Sequence, residues 1–323
     1  METPSILPII SIPSTQSLGL SVDLTKKIQE YGRLGLQGAV NTQRAYQADL
    51  RDFNVWCKTN EQIPFPVSPE TLAAYVTHLA AACKWATINR RLAAISKWHQ
   101  LNELETPTQN RMFRIVMEGI KRTKGIRQKQ APAFKINELK KVFREFDVGS
   151  NRKLRDKALL LLGFTGAFRR SELVALNVDD LTFTEEGLIV SIAKSKTNQY
   201  GDYEEKAIFY SPESVLCPIR TLQAWIGRLE SKNSPLFVRV RKGDKITSSR
   251  LSDTTVNDLV KAYFGTNYSA HSLRASFITI AKINGADDSE IMRQSKHKTP
   301  AMIQRYTRIE DVKIHNAAMK LGL

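Results

Sequence analysis

A short basic segment divides the chain into two parts whose apolar residues repeat in different ways. Residues 121–129 contain five Lys and Arg residues and no acidic residue, and Ala131-Pro132-Ala133 follows. Proline and a run of like charges disfavour a helix interior, so this segment predicts an exposed connector. At roughly 150 residues per domain, a chain of 323 residues accommodates two domains that each bury a core. The predicted organisation is a flexible tail at 1–22, a helical domain at 23–122, a basic linker at 123–134 and a second domain at 135–323.

The first domain is predicted to be all helical. From Asn41 to Lys58, apolar residues recur at steps of three and four, which indicates an amphipathic helix with one buried face. Its opposite, polar stripe comprises Arg44, Gln47 and Arg51. Ser68 followed by Pro69 is typical of a helix start and predicts a second helix to about Ala82.

Two further helices are predicted, one beginning at Thr87 and one from about Thr108 to Arg122. Arg90 and Arg91 would lie in the first turn of the Thr87 helix, where cationic side chains and free amides suit a phosphate group. The alternative is that Thr87 only caps this helix and that both arginines are solvated.

The second domain is predicted to be α+β, with a small antiparallel sheet among helices. Helical patterns cover residues 137–146, 152–164 and 169–176. Strand-like runs follow at 181–183, 188–193 and 207–210. The pattern is helical again over 218–230 and almost continuously from residue 252 to the end.

The charge balance predicts a polyanionic partner. The formal net charge is +16, and both halves of the chain are basic, which favours nucleic acid first and an acidic membrane surface second. No apolar run approaches the length of a membrane span, and the N-terminal segment does not fit a signal peptide. The three cysteines are far apart, which argues against disulfides or a zinc site and predicts a protein of the reducing cytoplasm. Common cofactor and metal motifs are absent, so no cofactor and no metal are expected.

The chemistry-bearing residues that remain are cations and one tyrosine. The segment Phe168 to Leu173 contains Arg169 at a predicted helix start, with Glu172 three residues on. Lys194 and Lys196 lie where a strand would end at a hairpin, and either could be the relevant lysine. His271 and Arg274 share a helix face, and His297 and Tyr306 follow at separations of 23 and nine residues. Each motif alone is weak, because a chance His-x-x-Arg is common.

The ordered series resembles the tyrosine site-specific recombinases of the phage integrase family. It consists of Arg-x-Ser-Glu-Leu, the hairpin lysine, His-x-Leu-Arg and His-x8-Tyr, in that order. The likeness is to the simple two-domain type represented by Cre and the Xer proteins, and it covers about residues 154–310 well. The segments that begin at Pro235 and Glu290 look like the corresponding parts of Cre.

The resemblance implies DNA cleavage through a 3′-phosphotyrosyl link without metal or ATP. Arg169 and Arg274 would clamp the scissile phosphate, because a guanidinium group binds two phosphate oxygens at once. Tyr306 would attack phosphorus, and because a phenol has a reference pKa near 10, the surrounding cations must favour the phenolate. The remaining roles implied are proton transfer by His271, a further donor at His297, protonation of the 5′ oxygen by Lys196, and orientation of an arginine by Glu172. Arg170 is the alternative to Arg169 within the doublet.

The resemblance also implies the partners. The substrate would be double-stranded DNA with paired recombinase sites, held in a C-shaped clamp by four protomers that exchange strands through a Holliday junction. Host accessory proteins and the target sequence are not specified. Apolar residues Ile309, Val312 and Leu321 of the C-terminal helix could contact a neighbouring protomer or their own domain. The predicted DNA-contact residues are Arg44, Gln47, Arg51, Thr87, Arg90, Arg91, Lys121, Arg122, Lys124, Arg127 and Lys129.

Two other functions compete with recombination. One is a DNA-binding accessory factor on the same fold without catalysis, and the other is a type IB topoisomerase that cuts with little site preference. Two departures from the family pattern bear on the site: Ala167-Phe168-Arg169 replaces Gly-Leu-Arg, and Ser295-Lys296 replaces Leu-Gly. Glycine allows backbone conformations that alanine and lysine resist, so the sequence leaves the local geometry at both positions open.

Overall fold

The computed structural model describes residues 23–24, 26–27, 30–31, 40–126, 130–192, 204–230, 235–304 and 306. The chain divides into two compact units, Met1–Lys129 and Gln130–Leu323. The division falls inside the segment for which the sequence predicts a linker. Among the described residues, no helix combines the length and the apolar character that crossing a membrane requires.

The first unit is built from helices around one apolar core. The helices are α1 (Val40–Thr59), α2 (Pro69–Ala82), α3 (Trp85–Leu101) and α4 (Arg111–Lys124), with a short 3₁₀ turn at Pro107–Gln109 before α4. The apolar stripe predicted on α1 is buried: Leu50, Phe53 and Cys57 lie in the core. Ser68 caps α2 as predicted, because its Oγ accepts a hydrogen bond from the Thr71 amide at 3.1 Å.

Two predictions about helix ends in this unit are wrong. α3 begins at Trp85, with Lys84 at the N-cap, so Arg90 and Arg91 lie beyond the first turn and away from its free amides. α4 continues to Lys124 and ends at Gly125, whose φ is +68°. Lys124, which the sequence assigns to the linker, therefore lies with Lys121 and Arg122 at the end of a helix, where positive charge complements the helix dipole.

The second unit combines helices with two small antiparallel sheets. Its first helices are α5 (Ile136–Arg144), α6 (Asn151–Thr165) and α7 (Arg170–Ala175). The three-stranded sheet has the order β1 (Leu181–Phe183), β2 (Gly187–Ile192) and β3 (Glu204–Phe209). After α8 (Pro218–Ile226), a two-stranded hairpin joins β4 (Val238–Val240) and β5 (Ile246–Arg250). The final helices are α9 (Asp253–Phe264), α10 (Ala270–Ile283), α11 (Asp288–Ser295) and α12 (Pro300–Gln304).

The all-helical first part and the α+β second part agree with the predicted fold class. α6 is the central helix of the second unit, and its residues from Leu154 to Gly163 are all buried. Phe134, expected to be the last residue of the linker, is instead 3% exposed and packs against Phe264 and Tyr268. Phe134 therefore belongs to the core of the second unit, where burial stabilises a large aromatic side chain.

Candidate active site

A tight turn after α6 places the first arginine. We call residues 166–169 the arginine turn. Ala167 has a φ of +47°, so it takes the left-handed conformation despite its side chain. Gly166 is required for a different reason, because a Cβ atom there would lie 2.2 Å from a ring carbon of Phe168. The turn ends at Arg169, which is the N-cap residue of α7.

Glu172 fixes the direction of Arg169. One carboxylate oxygen of Glu172 accepts a hydrogen bond from the Arg169 amide at 3.0 Å, and the other accepts one from its guanidinium group. Glu172 is buried, whereas the Arg169 side chain is 20% exposed. Arg170, the alternative first arginine, turns to another partner and pairs with Asp253 at 3.2 Å. The structure thus places Arg169, and not Arg170, on Glu172.

Arg274 reaches the arginine turn from α10. The side chain is 2% exposed, and its Nη1 donates a hydrogen bond to the Ala167 carbonyl oxygen at 2.7 Å. Burial and the nearby Arg169 lower the pKa of Arg274 to about 10, so it stays charged at neutral pH. The two guanidinium groups sense each other's charge, and Glu172 is the acidic residue that offsets it. This surplus of positive charge favours an anion between them.

His297 lies against Arg274, just after α11. Its ring nitrogens are 3.3 and 3.4 Å from Arg274 Nη2, and Ser295 Oγ lies 2.8 Å from Nδ1. Burial, reinforced by Arg274 and Arg169, lowers the pKa of His297 to about 3. His297 is therefore neutral at physiological pH. A neutral imidazole offers one N–H donor, which is sufficient for one phosphate oxygen.

Lys296 allows the chain to turn from α11 to His297. It closes α11 with a φ of +54°, in the left-handed region. Both positions where this chain departs from glycine therefore have the backbone conformation that favours glycine. Ala167 and Lys296 thus keep the backbone conformation of the glycines they replace, and each adds the conformational free-energy cost of a positive φ.

Tyr306 is the last residue that the structure describes, and its side chain lies beside His271, Arg274 and His297. Its hydroxyl lies 3.0 Å from His271 Nε2, and it is close enough to Arg274 to act against the lowering of the Arg274 pKa. Its ring is 5.6 Å from the ring of His297. The sequence pattern is helical almost continuously to the end of the chain, but α12 ends at Gln304 and Tyr306 lies in a turn. Packing holds this segment, because Tyr306 lies against a small apolar cluster that includes Ile278, Ile291 and Ile303.

His271 is suited to receive the phenolic proton. It occupies the first turn of α10 and, although it is partly exposed to solvent, loss of hydration and the charges of Arg274 and Arg169 lower its pKa below the ordinary value for histidine. A neutral ring can accept a hydrogen bond at Nε2 from the Tyr306 hydroxyl. The geometry thus pairs the candidate nucleophile with a candidate base.

One residue at this site, Lys206, belongs to none of the motifs that the sequence indicates. Its Nζ donates hydrogen bonds to the carbonyl oxygens of Gly166 at 2.7 Å and Ala167 at 3.3 Å, and lies 4.5 Å from the centre of the Phe168 ring. In β3, Lys206 shares the buried face with Ile208, while Glu205, Ala207 and Phe209 are exposed. A lysine on the apolar face of an alternating strand is the signal that could have identified it.

The hairpin lysine candidates Lys194 and Lys196 lie outside the described residues. Arg127 and Lys129 of the predicted DNA-contact set lie outside them as well, as does the C-terminal segment with Ile309, Val312 and Leu321. For the described residues of the second unit, the structure brings Arg169, Glu172, His271, Arg274, His297 and Tyr306 together.

The predicted DNA-contact residues of the first unit that the structure describes lie on α1, on α3 and at the end of α4. Arg44, Gln47 and Arg51 are exposed on α1. Arg91 is engaged within the unit, because it bonds Asp52 and the Tyr75 hydroxyl and lies 3.8 Å from Asp49.

Arg90 is exposed but pairs with the buried Asp49 at 2.9 Å, and Thr87 is half-buried. Arg91 therefore has a structural role, because it supplies charge to acidic and hydroxyl groups of its own unit. The exposed α1 stripe is the better candidate surface for phosphates.

Comparison with known proteins identifies the family. Residues 132–312 match the phage integrase family, and residues 33–105 match the phage integrase N-terminal SAM-like domain. The chain therefore belongs to the phage integrase family, the family of the tyrosine recombinases.

Named relatives give the same assignment. The chain is 38% identical over 283 residues to an integrase/recombinase XerD homologue of Selenomonas ruminantium, covering 85% of this chain and 83% of the relative. It is 24% identical over 328 residues to the Cre recombinase of Escherichia phage P1, covering 94% and 92%. The crystal structure of XerH site-specific recombinase bound to a palindromic difH substrate superposes with a TM-score of 0.64 at 16% identity, covering 85% of this chain and 78% of that one. This last likeness shows the shared fold.

Proposed function

We propose that this chain is a site-specific DNA recombinase that cleaves and rejoins strands through a covalent link to Tyr306. The observation that carries the proposal is the position of the Tyr306 hydroxyl, which lies 3.0 Å from His271 Nε2 and close to the guanidinium group of Arg274. A nucleophile, a base and a fixed cation thus meet at one point. Membership of the tyrosine recombinase family supports the same chemistry.

The cleavage step follows from these positions. Tyr306 Oη attacks phosphorus and transfers its proton to His271, while the bond from phosphorus to the 5′ oxygen breaks. Arg169 and Arg274 bind the non-bridging oxygens, where negative charge accumulates in the transition state, and neutral His297 donates its N–H to the same group. Lys196, by the family resemblance, protonates the departing 5′ oxygen.

The step exchanges one phosphate ester for another, so no external energy source is needed. The product is a 3′-phosphotyrosyl ester and a free 5′ hydroxyl. When the 5′ hydroxyl of a different strand attacks this ester, the phosphodiester is restored and Tyr306 is released. We therefore propose a reaction independent of ATP and of metal ions, with charge neutralisation supplied by the guanidinium groups.

We further propose that the chain acts on duplex DNA in the cytoplasm as a tetramer on two sites, with a Holliday junction as intermediate. The exposed α1 residues Arg44, Gln47 and Arg51 and the basic end of α4 would contact phosphates along the duplex. Such contacts release counterions, so affinity should fall steeply with salt, with a logarithmic slope near −0.9 for each phosphate neutralised.

Covalent trapping tests the proposal and recovers the target sequence in the same experiment. The full-length protein is incubated with sheared genomic DNA of the source organism, denatured with detergent, and the protein-linked DNA is sequenced from its attached end. Wild type should recover one repeated sequence, and Tyr306→Phe should recover none. Tyr210→Phe, a matched loss of a hydroxyl in the same unit, should behave as wild type.

The same experiment separates the competing functions. Specific binding without any covalent adduct from wild type would identify an accessory factor and refute the enzyme proposal. Adducts spread over unrelated sequences, together with relaxation of a plasmid that lacks the recovered site, would identify a topoisomerase. An adduct retained by Tyr306→Phe would mean that another residue is the nucleophile.

A further inference from the structure

We propose that Lys206 is a positioning residue for strand cleavage: its amine holds the carbonyl oxygens of Gly166 and Ala167 and thereby fixes the arginine turn that presents Arg169 and Arg274 to one phosphate. The inference rests on the proposed function. It assigns a role to a buried, chemically active side chain that the cleavage step itself does not use.

The first support is a shared acceptor. The Ala167 carbonyl oxygen accepts hydrogen bonds from both Lys206 Nζ, at 3.3 Å, and Arg274 Nη1, at 2.7 Å. Arg169 is two residues further along the same turn. A displacement of this carbonyl would therefore move the second arginine directly and the first through the backbone.

The second support is that Lys206 links β3 to the residues that follow α6, and that Gln294 makes a second link between the same two elements. Gln294 of α11 donates to the Ala207 carbonyl oxygen at 2.9 Å and to the Thr165 carbonyl oxygen at 3.2 Å. Lys206 extends this linkage from β3 to residues 166 and 167. The elements that carry Arg169 and His297 are thus joined through one strand.

The third support is the unfavourable environment of the amine. Lys206 is 1% exposed and shares its surroundings with Arg169, Arg274 and Lys296. A methionine would fill a similar volume over the Phe168 ring without placing a further cation there. The contribution of lysine over such a side chain therefore lies in its hydrogen bonds to the turn.

Lys206 is a positioning residue and not a catalytic one. Its amine is covered by protein, and its hydrogen bonds go to backbone carbonyl oxygens, so it does not reach the reacting phosphate. Its effect on the reaction must pass through the backbone of the arginine turn.

The test compares Lys206→Met with Lys157→Met in the full-length protein. Lys157 is a second buried lysine of the same unit, and among the described residues it makes no hydrogen bond to the arginine turn. The probe is a nicked suicide duplex that carries the site recovered by covalent trapping. We expect Lys206→Met to slow single-turnover cleavage about 10- to 100-fold, because small misplacement of catalytic groups has effects of this size. Its DNA affinity should stay within about twofold of wild type, as expected when only transition-state interactions are lost. Lys157→Met should cleave at close to the wild-type rate.

Two further measurements distinguish positioning from a general loss of stability. Hydrogen exchange of a peptide spanning the arginine turn should be faster in Lys206→Met than in wild type and unchanged in Lys157→Met. In an Arg274→Lys background, Lys206→Met should slow cleavage less than it does alone, because the two residues share an acceptor.

Wild-type cleavage together with an unaffected rate in Lys206→Met would overturn this inference and leave the proposed function intact. Unchanged exchange of the turn would overturn it whether or not cleavage is observed. Equal slowing by Lys206→Met and Lys157→Met would also overturn it, since the effect would then be general. Absence of any wild-type adduct would refute the proposed function instead, and exchange of the turn would still report on positioning.

Discussion

The buried amine of Lys206 should make the stability of the second unit depend on pH in a defined direction. Burial lowers the pKa of Lys206 to about 7, with Arg274, Arg169 and Lys296 acting in the same direction and Glu172 opposing them. The folded protein loses this proton near pH 7, whereas the unfolded chain keeps it to about pH 10. Between these values the unfolded state binds more protons, so the free energy of unfolding rises with pH.

The magnitude follows from the displaced pKa. A difference of one bound proton changes the free energy of unfolding by about 1.4 kcal/mol per pH unit. From pH 7 to pH 9, wild type should therefore gain about 2 to 3 kcal/mol from this group, and Lys206→Met should gain none of it. The free energy of unfolding of the variant, relative to that of wild type, should be highest at pH 6 to 7 and should fall steadily toward pH 9.

Urea unfolding of the full-length protein at several pH values between 6 and 9 provides the measurement. The curves are fitted as two transitions, because the chain has two compact units, and the variant should displace one of them. Lys261→Met, which removes an exposed lysine from α9, is the matched control. A constant difference for Lys206→Met, or a relative gain in its stability at high pH, would refute the reasoning.

Three other outcomes are expected. Arg169→Ala should slow cleavage of the trapped site about 100-fold or more, as loss of a preorganised donor does. Arg170→Ala, which breaks the pair with Asp253, should cleave at close to the wild-type rate. The reverse order of the two rates would mean that Arg170 binds the phosphate. Lys296→Gly should raise the free energy of unfolding by up to about 1 kcal/mol. Glycine removes the cost of the left-handed conformation, but its greater chain entropy in the unfolded state offsets part of that gain. A lower free energy of unfolding, measured with urea, would show that contacts of the lysine side chain outweigh the cost of its backbone conformation. Arg91→Ala should destabilise the first unit by about 1 to 3 kcal/mol, because it removes a donor to the Tyr75 hydroxyl and a positive charge beside the buried Asp49. Arg44→Ala should leave unfolding unchanged and weaken DNA binding at low salt. Equal stability of the two variants would contradict the structural role of Arg91.

Local sequence signals are sufficient to predict the helix that begins with a typical cap residue and the strands with a clear apolar pattern. The Ser68-Pro69 start of α2 and the strands at 181–183 and 187–192 lie within about a residue of their predicted positions. The β4–β5 hairpin is not predicted by the sequence pattern, because β4 has only three residues and β5 is mostly polar. The sequence places the start of α3 two residues late, because Thr87 is a typical cap residue whereas Lys84 is not.

The site residues carried by sequence motifs can be predicted, but their mutual arrangement cannot. The spacing of His271, Arg274, His297 and Tyr306 indicates a shared site, yet only the tertiary structure places the Tyr306 hydroxyl on His271. Lys206 escapes prediction for the same reason. Its partners are carbonyl oxygens 40 and 39 residues away in the chain, and backbone acceptors leave no mark in the amino-acid sequence.

The three residues before Arg169 should tolerate few substitutions. Each of its positions is restricted for a separate reason: Gly166 has no room for a side chain beside Phe168, Ala167 needs a residue that tolerates a positive φ, and Phe168 supplies the ring beneath the Lys206 amine. In a saturation library screened for recombination, position 166 should accept glycine alone. Position 167 should accept glycine and asparagine beside alanine and exclude valine and isoleucine, and position 168 should favour aromatic residues over leucine. Variants of this protein selected for a new target sequence should therefore keep these three residues and carry their substitutions elsewhere.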